Sequence, residues 1–113
     1  MFSVMDLKDK ILEAYKDSKE SIESFKNLEG KETEEFLTYA KNAVLKTTKL
    51  FKECKTILYT KSIIQPEERL KKIDGINTKL TTILDGLIAY NHKLGQLNSS
   101  RTIRRTLIDL NKN

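Results

Sequence analysis

The chain contains no tryptophan and only one cysteine, one histidine and one proline in 113 residues. A lone Cys54 cannot build a disulfide framework and suits a reducing compartment. One histidine and one cysteine are too few for a zinc site or for the Glu-x-x-His pairs of di-iron bundles. A Cys–His nucleophile pair would need Cys54 and His92 to meet, yet Cys54 falls in an apolar seam, where a thiol behaves as a small hydrophobe, and His92 falls off the seam. Glycine is scarce too: Gly75, Gly86 and Gly95 stand 11 and 9 residues apart with no strand before them, which excludes a phosphate-cradling loop. The acid pairs Glu34–Glu35 and Glu67–Glu68 fall in first helical turns, where they complement the helix dipole and lack an apolar pocket that would raise a pKa. No catalytic residue, cofactor or metal is therefore expected, and the chain does not read as an enzyme. No apolar run approaches the roughly 18 to 20 residues of a membrane-spanning helix. Met1 to Met5 lacks the basic flank and apolar stretch of a secretion signal, so a cytoplasmic location is expected.

What the chain has is charge, unevenly placed. The net charge is +5, but residues 1–35 hold six lysines and ten acids, whereas residues 36–66 hold six lysines and only Glu53. Residues 67–113 carry nine lysines or arginines and five acids. Two readings follow: acidic and basic segments neutralise each other across a helix pair, or the basic part faces an anionic partner.

It also has long apolar seams at spacings of three and four. Val4, Leu7, Ile11, Tyr15, Ser18, Ile22 and Phe25 gather on one side of a first helix, with Asp6 as a cap and Gly30 at its end. Thr33 with Glu34 and Glu35 predicts a second helix start. There Leu37, Ala40, Val44, Thr47, Phe51, Cys54 and Leu58 form a seam that Phe36, Ala43, Leu50 and Ile57 widen on one side. Pro66 opens a third helix through Ile73, Ile76, Leu80, Ile83, Leu87, Tyr90 and Leu94, whose phase runs unbroken across Gly75 and Gly86. Gly95 predicts a stop and Asn98-Ser99-Ser100 a restart, leaving Ile103, Leu107 and Leu110 to hold a short last helix against the body. The fold expected is all-α: a single helical-bundle domain over residues 1–113, antiparallel, with three long helices plus a short C-terminal helix. A long hairpin of the second and third helices that completes its core as a homo-dimer is the alternative.

Two sets of basic residues are candidate contacts. Lys41, Lys46, Lys49, Lys52 and Lys55 lie opposite the second helix's seam, with Leu45 among them. A basic amphipathic helix of this kind suits a partner's groove or an anionic membrane surface, or simply keeps the surface solvated. Arg101, Arg104 and Arg105 are three of the chain's four arginines, and guanidinium groups so clustered suit phosphates or guanine edges. Ser99, Thr102, Ile103, Arg104, Arg105, Leu107 and Leu110 match a Ser-x-x-Thr-Ile-Arg-Arg-x-Leu-x-x-Leu pattern. The stretch thereby resembles the recognition helix of helix-turn-helix regulators, which implies nucleic-acid binding through those arginines. The plainer alternatives are a capping helix with a solvated basic face, or arginines that dock onto the acidic first helix. The function expected is a non-enzymatic bundle acting through protein–protein contacts, of adaptor, inhibitor, chaperone or immunity type, with a nucleic-acid-binding regulator as the alternative.

Overall fold

In the computed structural model, which describes residues 3–59 and 64–112, the chain is all-α. Helix α1 spans Val4–Ser24, α2 Gly30–Tyr59 and α3 Pro66–Asn111. The secretion-signal reading rests partly on Met1 and Phe2, which lie outside the described residues, as does most of the α2–α3 connection. Among the described residues no helix is long and apolar enough to cross a membrane.

The α1 stripe stands where the spacing puts it: Val4, Leu7, Ile11, Ser18 and Ile22 are buried. Its cap sits three residues earlier than Asp6. Ser3 is the N-cap and accepts from the Asp6 N–H, while the Asp6 carboxylate accepts from the Ser3 N–H, a reciprocal box that satisfies two helix-end donors. The helix ends at Ser24, well before Gly30, and Gly30 instead opens α2. The reason is Glu32, whose carboxylate accepts the Glu29 N–H at 2.8 Å and fixes the helix start one turn ahead of Thr33.

Two clusters give the packing order. Val4, Leu7 and Ile11 meet Leu50, Cys54 and Ile57 of α2 and Ile76 and Leu80 of α3. At the other end Ile22 meets Phe36, Ala40, Leu87 and Leu94. Early α1 therefore lies beside late α2 and early α3, so α1 and α3 run one way and α2 against them. On α2 the buried centre takes Ala40, Thr47 and Cys54 from the seam and all of its widening, Phe36, Ala43, Leu50 and Ile57, whereas Leu58 is half exposed. Helix α1 covers this seam, so the core does not require a second copy.

Among the described residues there is no separate fourth helix. Helix α3 runs 46 residues through Gly75, Gly86 and Gly95, and none of the described glycines has the positive φ of a helix-terminating glycine. Gly95 is inside the helix because the α1–α2 connection packs on it: a Cβ there would stand 3.5 Å from the Phe25 ring. At about 1.5 Å per residue α3 is roughly 69 Å long, against about 32 Å for α1. It accounts for most of the molecule's 76 Å length, and its last turns run past the bundle.

The interior glycines differ in what surrounds them. At Gly86 a Cβ would stand 2.5 Å from the Tyr39 hydroxyl, whose ring packs on Tyr90 at 5.0 Å. At Gly75 it would meet nothing within 4 Å. Gly75→Ala is therefore expected to stabilise the fold by up to about 1 kcal/mol through helix propensity. Gly86→Ala should fall short of that gain because Tyr39 must swing aside. Urea unfolding of both variants checks this, and equal gains would show that the tyrosine contact has no weight.

Candidate functional site

The α3 seam changes character at its C-terminal end. Leu87 and Leu94 are buried, and the positions that continue their side of the helix are Asn98 and Arg101. These polar groups seize the α1–α2 connection. The Asn27 N–H donates to Asn98 Oδ1 at 2.9 Å, and Asn27 Nδ2 donates to Thr102 Oγ1 at 2.6 Å. Arg101 Nη1 donates to the Asn27 carbonyl at 2.9 Å and to Glu32 Oε1 at 2.5 Å, while Nη2 donates to Glu32 Oε2 at 3.0 Å. The fork-to-fork geometry is the strong form of an arginine–carboxylate contact. Hydrogen bonds from Arg101 and then from the Glu29 N–H hold the Glu32 carboxyl below its ordinary range, and the same pairing raises Arg101.

Arg101 is thus an internal tie, docked as one of the plainer readings has it, but onto the α1–α2 connection and the first turn of α2 and not onto the acidic first helix. The docking acid is Glu32 in the first turn of α2. Arg104 and Arg105 stay exposed on the last turns of α3. The structure therefore does not assemble the three arginines into one cluster. Nor is there a turn between Gly95 and Arg101, so the segment lacks the break that a helix-turn-helix arrangement requires.

Beyond Thr102 the helix projects as an arm, and its apolar side does not face the body. Ile103 follows Leu94 by nine residues, about two and a half turns, which places it on the opposite side of α3. Leu107 and Leu110 share that side with Ile103, at spacings of four and three. All three are open to solvent, at 61%, 56% and 66% exposure, and Ile108 is half exposed beside them. The expectation that these residues hold a terminal helix against the bundle is corrected by this half-turn shift of phase.

The lysine set on α2 is likewise divided, although all five are exposed. Lys46 and Lys49 line the cleft toward α3 together with Lys79. Lys55 sits 4.8 Å from the Phe51 ring centre, with Lys8 of α1 at 4.5 Å from the same ring, a cation–π arrangement. Lys41 lies by the start of α2 near Thr33 and Leu37, and Lys52 lies outside both groups. Leu45 stands 58% exposed, off the seam as its spacing predicts. Cys54 is buried and its thiol pKa is pushed up by that burial. Its neighbours are Ile76 and Leu80, whereas His92 lies exposed more than a dozen residues further along α3, so the two do not meet. Among the described residues no three His, Cys, Asp or Glu side chains gather as a metal site.

Asn27 and Glu32 are not singled out by the sequence, and Asn98 and Thr102 enter it only as a helix restart and as part of the recognition-helix pattern. A signal for the tie exists on α3: Asn98 follows Leu94 by four and Arg101 follows Asn98 by three, the seam's own rhythm carried on by polar residues. Glu32 has a measurable consequence. Its carboxyl titrates lower in the folded state than the usual unfolded value near 4.3, so its contribution is complete above that pH and is lost as pH falls through the lower folded value. The difference in melting temperature between the parent and Glu32→Gln is expected to be largest at neutral pH and to shrink on acidification below about pH 4.3. A difference that stays constant down to pH 3 would contradict this. Comparison with family models, curated proteins and solved structures finds no match.

Proposed function

We propose that this chain is a non-enzymatic helical-bundle protein that acts through contact with another protein, and that the C-terminal arm makes the contact. The observation that carries the reading is the stripe of Ile103, Leu107 and Leu110, open to solvent and turned away from the core. Three aliphatic side chains at i, i+4 and i+7 are the anchor pattern of a helix that lies in a partner's groove. Covering each would contribute on the order of 1 to 2 kcal/mol. That gain goes unused in solvent and is not recovered by contact with a phosphate backbone.

A nucleic-acid reading keeps one point in its favour, the exposure of Arg104 and Arg105 on the same arm. The two separate experimentally. A photo-crosslinking residue at position 107 is expected to yield protein adducts in cells of the source organism, and the same residue at position 71, at the far end of α3, is not. The adducts should vanish in an Ile103→Asp, Leu110→Asp variant whose thermal stability stays within about 0.5 kcal/mol of the parent, because both positions are exposed. Adducts to nucleic acid would overturn the proposal in favour of the regulator, above all if duplex affinity also falls by orders of magnitude between about 50 and 200 mM salt. Absence of any adduct at 107 would overturn both.

A further inference from the structure

We infer that the cleft between α2 and α3 is a binding site for a single-chain anionic amphiphile, of the class of a free long-chain carboxylate. The cleft has two stretches, of 460 Å³ and 610 Å³, joined through Glu53 and Lys79, which line both. Its floor is aliphatic: Leu50 and Ile83 in one stretch, Ile57 and Ile76 in the other. Its rim is cationic, with Lys46 and Lys49 from α2 and Lys72 and Lys79 from α3 against the single acid Glu53. The threonines along it offer no free donor to a polar ligand. Thr56, Thr78 and Thr82 each donate to a carbonyl of their own helix, those of Lys52, Asp74 and Thr78, at 3.0 Å. A polar anion would find charge there but nothing in the floor to bind it; an alkyl chain with one charged end finds both.

Gly75 is the second observation. A glycine inside a helix costs about 1 kcal/mol relative to alanine. The other two interior glycines of α3 have neighbours that a Cβ would touch, Tyr39 at Gly86 and Phe25 at Gly95. Gly75 has none, and it lines the wider stretch of the cleft. The space that its missing side chain leaves lies over the floor where the alkyl chain would run. From Lys46 to Ile57 the cleft follows eleven residues of α2, about 16 Å. That length accommodates an extended acyl chain, with its carboxylate held among Lys46, Lys49 and Lys79. The site is separate from the C-terminal arm, so it stands or falls independently of the function proposed above.

Titration of the full chain with myristate, followed by calorimetry and backbone amide shifts, tests the inference. Saturable one-to-one binding is expected, with shifts concentrated at Leu50, Gly75, Ile76, Lys79 and Ile83. Lys46→Glu with Lys79→Glu should weaken it at least tenfold. Gly75→Leu, whose Cβ meets nothing within 4 Å and whose further atoms extend into the open space, should abolish it while leaving the melting temperature at or above that of the parent. Shifts at Met5, Phe51 and Cys54 instead would place the ligand in a second groove, which these residues line with Leu58 and Ile73, and overturn the assignment. Failure to saturate would overturn it as well, as would equal affinity in all variants. Flotation with vesicles of phosphatidylglycerol and phosphatidylcholine, in the absence of any myristate binding, would give the lysines to a membrane surface.

Discussion

The structure depends on the phase of apolar residues along α3. Ile76, Leu80, Leu87 and Leu94, preceded by the partly buried Ile73, recur at intervals of one or two turns and reach partners on α1 or α2, so the bundle assembles around one uninterrupted line. Because that line stays in register across Gly75 and Gly86, two residues that each weaken the helix locally do not break it. Burial of four large aliphatic side chains at about 1.5 to 3 kcal/mol each outweighs two glycine costs of about 1 kcal/mol. Wherever the line continues, α3 is fixed to the body. Past Leu94 polar contacts take over as far as Thr102, and only beyond them does the helix leave the body.

The end of the line is handled by polar groups. Asn98, Arg101 and Thr102 take the positions that face the body and add hydrogen bonds to a five-residue connection whose Phe25 and Leu28 already pack on the core. The same arginine fixes Glu32, and Glu32 fixes the first turn of α2 through the Glu29 N–H. One side chain thus couples the exit of α1, the entry of α2 and the continuation of α3. It also explains why a segment rich in turn-forming residues, Gly95 to Ser100, remains helical: leaving the helix there would forfeit the Phe25 contact and the whole tie at once.

The seams of all three helices were legible in the sequence, because a spacing of three and four records which side of a helix is buried without reference to its partner. Helix ends were less so. The cap at Ser3 and the start at Gly30 each depend on a carboxylate reaching back along the chain, Asp6 and Glu32, and several residues nearby could play either role. The stop expected at Gly95 failed for a related reason: a glycine ends a helix only if it turns left-handed, and tertiary contact decided otherwise. The arm's phase was recorded in the numbers 94 and 103. A separate last helix would be free to rotate and bury Ile103, whereas a continuous one cannot, so the error in topology and the error in orientation are a single error. Among the cations, only its spacing from Leu94 and Asn98 sets Arg101 apart from Arg104 in the sequence, since the carbonyl it binds lies in a connection more than seventy residues earlier.

Continuity with α3 also settles how so short an arm can be ordered at all. Nine or ten residues in isolation would be far below the length at which a helix persists in water, because the first turn fixes several residues for one hydrogen bond. Here the bundle has already formed that turn, and each further residue adds a bond at the propagation cost alone. The composition of the arm keeps the gain small: Thr102, Ile103, Thr106 and Ile108 are β-branched and lose side-chain freedom in a helix. Of their hydroxyls, Thr102 and Thr106 donate back to the carbonyls of Asn98 and Thr102, a further local bond within the same helix. An arm so constituted is held in helical form by its root and by little else, with an aliphatic stripe already aligned on one side. A partner of the kind proposed would meet a helix whose ordering cost the bundle has largely met beforehand, which is the physical advantage of growing it out of a core helix instead of tethering it by a loop.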